Sequence, residues 1–493
     1  MHHFKIIASA ILVFCSFFSS AQKPPAPYGA LPSERQLKWH ETEVYGLVHF
    51  TPTTFENKEW GYGDANPAIF NPKEFDADKI VAAFKAGGLK GLVLVTKHHD
   101  GFALWPTKTT TYNISESPFR NGKGDMVKEF EQACRKAGLK FGVYCSPWDR
   151  NNPTYGSFDY VQTYREQLKE LYTQYGELFM SWHDGANGGD GYYGGARTIK
   201  KIDRNTYYGW DTTWAITRSL QPMANLFSDI GWDVRWVGNE SGFAGETSWA
   251  TFTPVPAKGE SMTFPGNLDH TQNPFGTRGG KHWVAAECDV PLRPGWFWHP
   301  EQKGKTKTPE KLFDLYLKSV GRGAALDLGI APDTRGLLDE EDIKSLEGFG
   351  KIVSGSFKDN LLATANLKSA DTRGKDFKVS AMTDDNINTY WASKDDAHTP
   401  VIEASWKTAQ TFDLIRVREF IPLGQRIESL EVDAMIDGVW KKIAQATSVG
   451  ACRIIALDSP VTATALRVSV TASPVAVTFS EMGVYKKAAL ASF

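Results

Sequence analysis

GLKGLVLVTKHHDGF, residues Gly88–Phe102, is the stretch on which the fold turns. A glycine stops a helical segment, Gly91 to Val95 is an unbroken apolar run, and two imidazoles and a carboxylate close it. A strand with one wet face would alternate polar and apolar residues. An unbroken run instead fits a strand covered on both faces, as in a parallel sheet wrapped by helices. The same grammar recurs in YGLVHF, ending at Phe50, in GLKFGVYCSPWDR, ending at Arg150, and in GELFMSWHDG, ending at Gly185. ANLFSDIG, ending at Gly231, and HWVAAECDV, ending at Val290, continue it. Between runs lie amphipathic segments such as DADKIVAAFKAGG and DMVKEFEQACRKAGLK, each stopped by glycine. Six or more such repeats predict an α/β fold, a (β/α)8-like TIM barrel. An open doubly wound sheet is the alternative, but no glycine-rich nucleotide loop follows the first strand.

The pattern stops near Ser356. Beyond it, runs such as TFDLIRVREFI, SLEVDAMID and ATALRVSVT alternate in the manner of an antiparallel β-sandwich. The expected organisation is a leader over 1–21, a barrel over 31–355 and a sandwich over 356–488. Lys5, the apolar IIASAILVFCSFF and the small residues before Gln22 read as an export signal cleaved after Ala21, giving a periplasmic or secreted protein. No later segment reads as a membrane span.

A chain of 493 residues with net charge −2 and no basic block has no electrostatic footprint for nucleic acid. Its 16 Trp exceed what packing asks for, and half can be set down to core; the surplus suggests flat faces for stacking sugars. After the leader, Cys134, Cys145, Cys288 and Cys452 form no CxxC pair, so four buried, unpaired thiols are expected and structural zinc has no support.

Barrels of this type carry their chemistry at the carboxyl ends of the strands. There the sequence supplies His49, His98 with His99, Tyr144, and Trp182 with Asp184. Each alone reads as satisfied structure; together they make a pocket that bonds hydroxyls and stacks an apolar face. A metal-dependent hydrolase competes, since His49, His98, His99 and Asp184 are ligand types. Adjacent His98 and His99 should diverge in a regular strand, however, so no metal is assigned.

VHFTPTTFENKEWGYG, TKHHDGFALWPT, FGVYCSPWD and FMSWHDGA, in this order, resemble the α-L-fucosidases of glycoside hydrolase family 29 over about Leu31–Gly355. VRWVGNESGFAGETSW and AECDVPLRPGWFWHP resemble its branch acting on α-1,3- and α-1,4-linked fucose. The resemblance implies a retaining exo-enzyme working by double displacement on fucosylated oligosaccharides or glycoprotein glycans, with no required cofactor. It implies Asp184 as nucleophile and Glu240 as acid/base, with Glu287 and Glu246 as rivals. The bland alternatives are an ion pair to Arg293 for Glu287 and a solvated loop charge for Glu246. His49, Glu59, Trp60, His98, His99, Tyr144 and Trp182 match fucose-holding positions, with Arg293 and Trp296 as further candidates. TDDNINTYWAS in the sandwich resembles discoidin-like (F5/8 type C) domains; its Asp/Asn loop suits a structural Ca²⁺, and Trp391 reads equally as core. A non-catalytic fucose-binding barrel remains the reading from another class.

Overall fold

The computed structural model describes residues 22–184, 192–193, 197–228 and 232–489. Residues 1–21, on which the expected leader falls, the glycine-rich stretch after Asp184, residues 229–231 and residues 490–493 lie outside the described residues.

Eight parallel strands close into a barrel. They are β1 (Val44–Val48), β2 (Gly91–Lys97), β3 (Lys140–Cys145), β4 (Met180–Trp182), β5 (Asn225–Ser228), β6 (Val234–Trp236), β7 (Ala285–Pro291) and β8 (Ala325–Ile330). Neighbours follow chain order, and β1 meets β8 in register, Val44 opposite Leu326 through Val48 opposite Ile330. The decisive run Gly91–Lys97 is buried at every position, as its lack of alternation requires.

The helices sit where the periodic segments predicted them, though not after every strand. α1 (Ala77–Ala86), α2 (Met126–Ala137), α3 (Phe158–Gln174) and α4 (Trp210–Leu220) follow β1 to β4. α5 (Pro309–Lys318) and α6 (Glu340–Ser356) follow β7 and β8. Asp76 and Asp125 cap α1 and α2 through the backbone N–H of Lys79 and Lys128, each cap stabilising by about 1 kcal/mol. Gly138 ends α2 at φ 76°, in the left-handed region glycine adopts without strain. Among the described residues no helix follows β5 or β6. Residues 237–284 form instead a long excursion whose regular structure is two short strands, Thr251–Phe252 against His282–Trp283, and a 3₁₀ turn at His270–Gln272.

Tyr45, Leu47, Val93, Val95, Tyr144, Met180, Trp182 and Phe227 fill the barrel interior. The larger apolar layer lies between strands and helices, around Leu92, Leu94, Phe130, Leu168 and Leu326. The C-terminal domain is an antiparallel six-stranded sheet of β9 (Asn366–Lys368), β10 (Val401–Arg418), β11 (Ser429–Ile436), β12 (Val439–Thr447), β13 (Arg453–Ala472) and β14 (Glu481–Tyr485). Register shifts along β10 and β13 bend these long strands around one core. A short pair, Trp391–Ala392 with Thr478–Phe479, closes that core. Trp391 is plain core: fully buried, it lies 5.9 Å from Phe479 and donates to Thr372. Cys134, Cys145, Cys288 and Cys452 are all buried free thiols. Among the described residues no helix is long and apolar enough to cross a membrane.

Candidate active site

At the carboxyl rim of the barrel a cavity of about 220 Å³ is lined by His49, Trp60, His98, His99, Tyr144, Trp182, Asp184 and Glu240. Eight of the nine residues singled out in the sequence therefore meet in one place. Leu47, Phe227, Trp236, Asp289 and Trp296 complete the lining. The volume falls below the ~300–1,000 Å³ of pockets for drug-sized ligands, and suits a single sugar ring.

Asp184 follows β4 and receives the Tyr144 hydroxyl at 2.5 Å. Burial, then the Asp184 charge, raises the Tyr144 pKa well above that of a free phenol, so Tyr144 stays a donor. His183, between Trp182 and Asp184, turns the other way and bonds Tyr164 and Ser181, locking the strand end. Trp182 stacks on Phe227 at 4.0 Å and donates its indole N–H to Glu287 at 2.7 Å. The nucleophile candidate thus rises from a floor with fixed rotamers.

His98 and His99 do not diverge. Their ring centroids lie 4.0 Å apart because β2 ends at Lys97, its pairing with β3 shifts between Val95 and Lys97, and the chain then turns. His49 joins them, 5.4 Å from His98. Burial lowers the pKa of His49 and of His99 to about 3 and that of His98 well below its usual value, so all three are neutral. Ser146 donates to the Trp148 carbonyl and must therefore accept from Nδ1–H of His99. That leaves the His99 Nε2 lone pair 3.7 Å from an Asp184 oxygen, positioned to accept from a sugar hydroxyl rather than to bond the carboxylate. Among the described residues no three His, Cys, Asp or Glu side chains form a group that could hold a metal ion.

Glu240 lies on the excursion after β6, where the Trp296 indole donates to it at 3.2 Å. Glu59 is the singled-out residue that does not line the cavity. Its carboxylate accepts the backbone N–H of Trp296 and Phe297, the latter at 3.2 Å, and so braces the segment that carries Trp296. Trp60 stands at the rim, 48% exposed, edge-on to His99.

The remaining candidates go elsewhere. Arg293 does not meet Glu287; it is buried with Asp339, Glu341 and Asp342. Glu287 faces the barrel interior, where Tyr45 and Trp182 donate to it. Glu246 is no free loop charge, for Arg322 and Arg453 both grip it. Asp289, which the sequence reading passed over, lines the cavity and accepts from Trp236 at 2.9 Å. Burial, then the charges of Glu287 and Glu240, pushes its pKa well above the carboxylate range. Strand parity was the available signal: Glu287 and Asp289 are two apart on β7 and share a side.

A cavity of this kind offers one sugar ring hydrogen-bonding groups on one side and flat apolar faces on the other, which sets the protein among the glycoside-cleaving barrels. Residues 28–355 match the alpha-L-fucosidase family and residues 364–482 the F5/8 type C domain. The chain belongs to the α-L-fucosidases, glycoside hydrolase family 29. It is 37% identical over 474 residues to Alpha-L-fucosidase 1 of Arabidopsis thaliana, covering 95% of this chain and 90% of that one. Among solved structures, SpGH29 superposes with a TM-score of 0.84 at 34% identity, covering 94% of this chain and 100% of that one. A Ruminococcus gnavus family 29 fucosidase in complex with fucose gives a TM-score of 0.83 at 28% identity, covering 95% and 97%. The protein is an α-L-fucosidase, and its substrate contains fucose. That reading replaces the non-catalytic barrel.

Proposed function

We propose that this α-L-fucosidase is a retaining exo-enzyme that removes terminal α-1,3- or α-1,4-linked fucose from oligosaccharides or glycoprotein glycans. The observation that carries the reading is the shared cavity: Asp184, fixed by Tyr144, and Glu240, held by Trp296, line the same sugar-sized space. In the proposed reaction Asp184 attacks the anomeric carbon as Glu240 gives its proton to the leaving oxygen. Water, deprotonated by Glu240, then releases fucose with its α configuration restored. The neutral imidazoles accept from or donate to fucose hydroxyls, and the indoles cover its apolar edge.

Asp184→Ala should cost at least ~10⁴-fold in kcat, with azide restoring turnover as a fucosyl azide. Retained activity would overturn the nucleophile assignment. The anomer first formed, read by NMR, tests retention; a panel of α-1,2-, α-1,3-, α-1,4- and α-1,6-fucosylated oligosaccharides tests the linkage.

Two further readings belong to the same proposal. The enzyme is exported to the periplasm or outside the cell, so its mature form should begin at Gln22. A structural Ca²⁺ in the C-terminal domain would be held by the Asp/Asn loop beside Asp384 and Asp385. There the buried Glu481 has an oxygen without a partner, and burial followed by those two charges pushes its pKa to about 7. Such a site would draw its other ligands from carbonyl oxygens, and calcium should raise Tm.

A further inference from the structure

The two carboxyl candidates are held in different ways. Asp184 directly follows a barrel strand, whereas Glu240 rides on residues 237–284, where little regular structure fixes the rim. The near side of its loop lies on the barrel. Ala244 N–H donates to the Lys318 carbonyl at 3.0 Å. Gly242, at φ 78°, presses so close to β7 that a Cβ would come within 2.7 Å of Val290.

The far side lies on the C-terminal domain. Arg453, at the start of β13 and 3% exposed, donates to the Glu246 carbonyl at 2.6 Å and pairs with its carboxylate, which Arg322 also holds at 2.6 Å. The Thr247 and Thr447 hydroxyls bond at 2.7 Å. Ser448 accepts the Ser248 N–H at 3.1 Å, and Gln425 accepts the Ala250 N–H at 2.8 Å while donating to the Ser248 carbonyl at 3.2 Å. Residues 246, 247, 248 and 250 each have a partner from that domain. None of those partners lines the sugar cavity.

We infer that the F5/8 type C domain belongs to the acid/base apparatus: its grip on residues 246–250 fixes the loop that presents Glu240, and Arg453 is a positioning residue for protonation of the leaving group. The inference rests on the reading of Glu240 as the acid/base. Glu246 is only a short tether from Glu240, and a shift of about 1 Å at a catalytic group can cost ~10²-fold. The loss should fall chiefly on proton transfer, because Asp184, His49, His98, His99, Tyr144 and Trp182 are carried by the rim of β1 to β4.

The test compares two substrates in the full-length protein. One is a fucosylated trisaccharide, whose sugar leaving group needs a proton; the other is α-L-fucosyl fluoride, whose leaving group needs little help. Arg453→Met should lower kcat on the trisaccharide by ~10-fold or more, part of the ~10²–10⁴ a general acid supplies. KM for the trisaccharide should hold, and kcat/KM for the fluoride, which reports the first displacement and not the later step in which Glu240 acts as base, should stay within ~2-fold. Arg453→Lys should recover part of the loss. Gln425→Ala with Ser448→Ala should repeat the pattern, and serves if Arg453→Met does not fold. Equal losses on both substrates, or no loss on either, overturn the inference. Glu240→Gln is the control. Judged on kcat/KM, a selective loss there beside unselective sandwich variants sinks the clamp alone; an unselective loss of kcat/KM in Glu240→Gln sinks the acid/base assignment and the clamp with it.

Discussion

The two halves of the barrel rim are built on different plans. From β1 to β4 each strand ends on a pocket residue or hands over to one directly, and each is followed by a regular helix. After β5 and β6 no α-helix follows among the described residues, and the rim is supplied by an irregular excursion braced from the second domain. The first half holds the nucleophile candidate and the imidazoles; the second holds Glu240, Trp236 and Asp289. Groups that meet the one sugar every α-L-fucosidase shares sit on rigid strand ends. Trp236 and Asp289 also sit on barrel strands, whereas Glu240 sits on a segment outside them whose length and path are free to vary.

The largest effect that sharpens this contrast comes from a matched pair of deletions, each removing one donor to one carboxylate. Tyr144→Phe removes the hydroxyl that Asp184 accepts at 2.5 Å. A hydrogen bond to a charged group contributes about 1.5–3 kcal/mol, so kcat/KM should fall roughly 10- to 150-fold. The fall should be similar for sugar and fluoride leaving groups, since both need the nucleophile. Trp296→Phe removes the indole N–H donating to Glu240 at 3.2 Å near solvent. Its loss should be only a few-fold, about 1 kcal/mol, and confined to sugar leaving groups. Steady-state kinetics on the two substrates decides; if Tyr144→Phe spares the fluoride, the two halves do not divide the work this way.

The same contrast explains what was legible in the sequence. Unbroken apolar runs gave away β1 to β4, and a strand-end rule was enough to gather His49, His98, His99, Tyr144, Trp182 and Asp184. His98 and His99 defeated the pleat argument because it holds inside a strand, and both lie just past one. Glu59 lies outside the cavity lining; matching a motif does not say whether a carboxylate faces the cavity or the backbone that frames it. Asp289 was passed over although Glu287, on the same side of β7, was considered. Most of 237–284 was unreadable for a physical reason: its conformation is set by partners about 200 residues away, such as Arg453 and Ser448, and no local period records them.

Asp289 offers a smaller and sharper test of the irregular half. Burial, then the charges of Glu287 and Glu240, pushes its pKa well above the carboxylate range, which favours the neutral carboxyl, and Trp236 donates to one of its oxygens. Asp289→Asn is also neutral, keeps an acceptor for Trp236, and should change kcat/KM by no more than ~3-fold. Asp289→Ala leaves the indole N–H unpaired and should cost about 1–3 kcal/mol, mostly in stability. A loss above ~100-fold in Asp289→Asn, with folding intact, would mean that Asp289 ionises during turnover and would make it a rival to Glu240.

The smallest effect concerns the floor that both halves share. Glu287 and Asp327 lie fully buried within the barrel, and burial raises the pKa of each, the two interacting. Both oxygens of Asp327 lack any other partner, which is tolerable if the pair shares a proton and costly once both ionise. The sign follows from linkage. A carboxyl that holds its proton more tightly folded than unfolded stabilises fully below its unfolded pKa, and that contribution is lost as pH rises through the folded value. Wild-type Tm should therefore decline as pH climbs from about 5 towards 8. Asp327→Asn keeps the shape and supplies a permanent N–H to Glu287, so its decline should be shallower by about 1 kcal/mol, or roughly 1–2 °C for a barrel of this size. Parallel pH–Tm curves for the two proteins would show that the pair carries no shared proton.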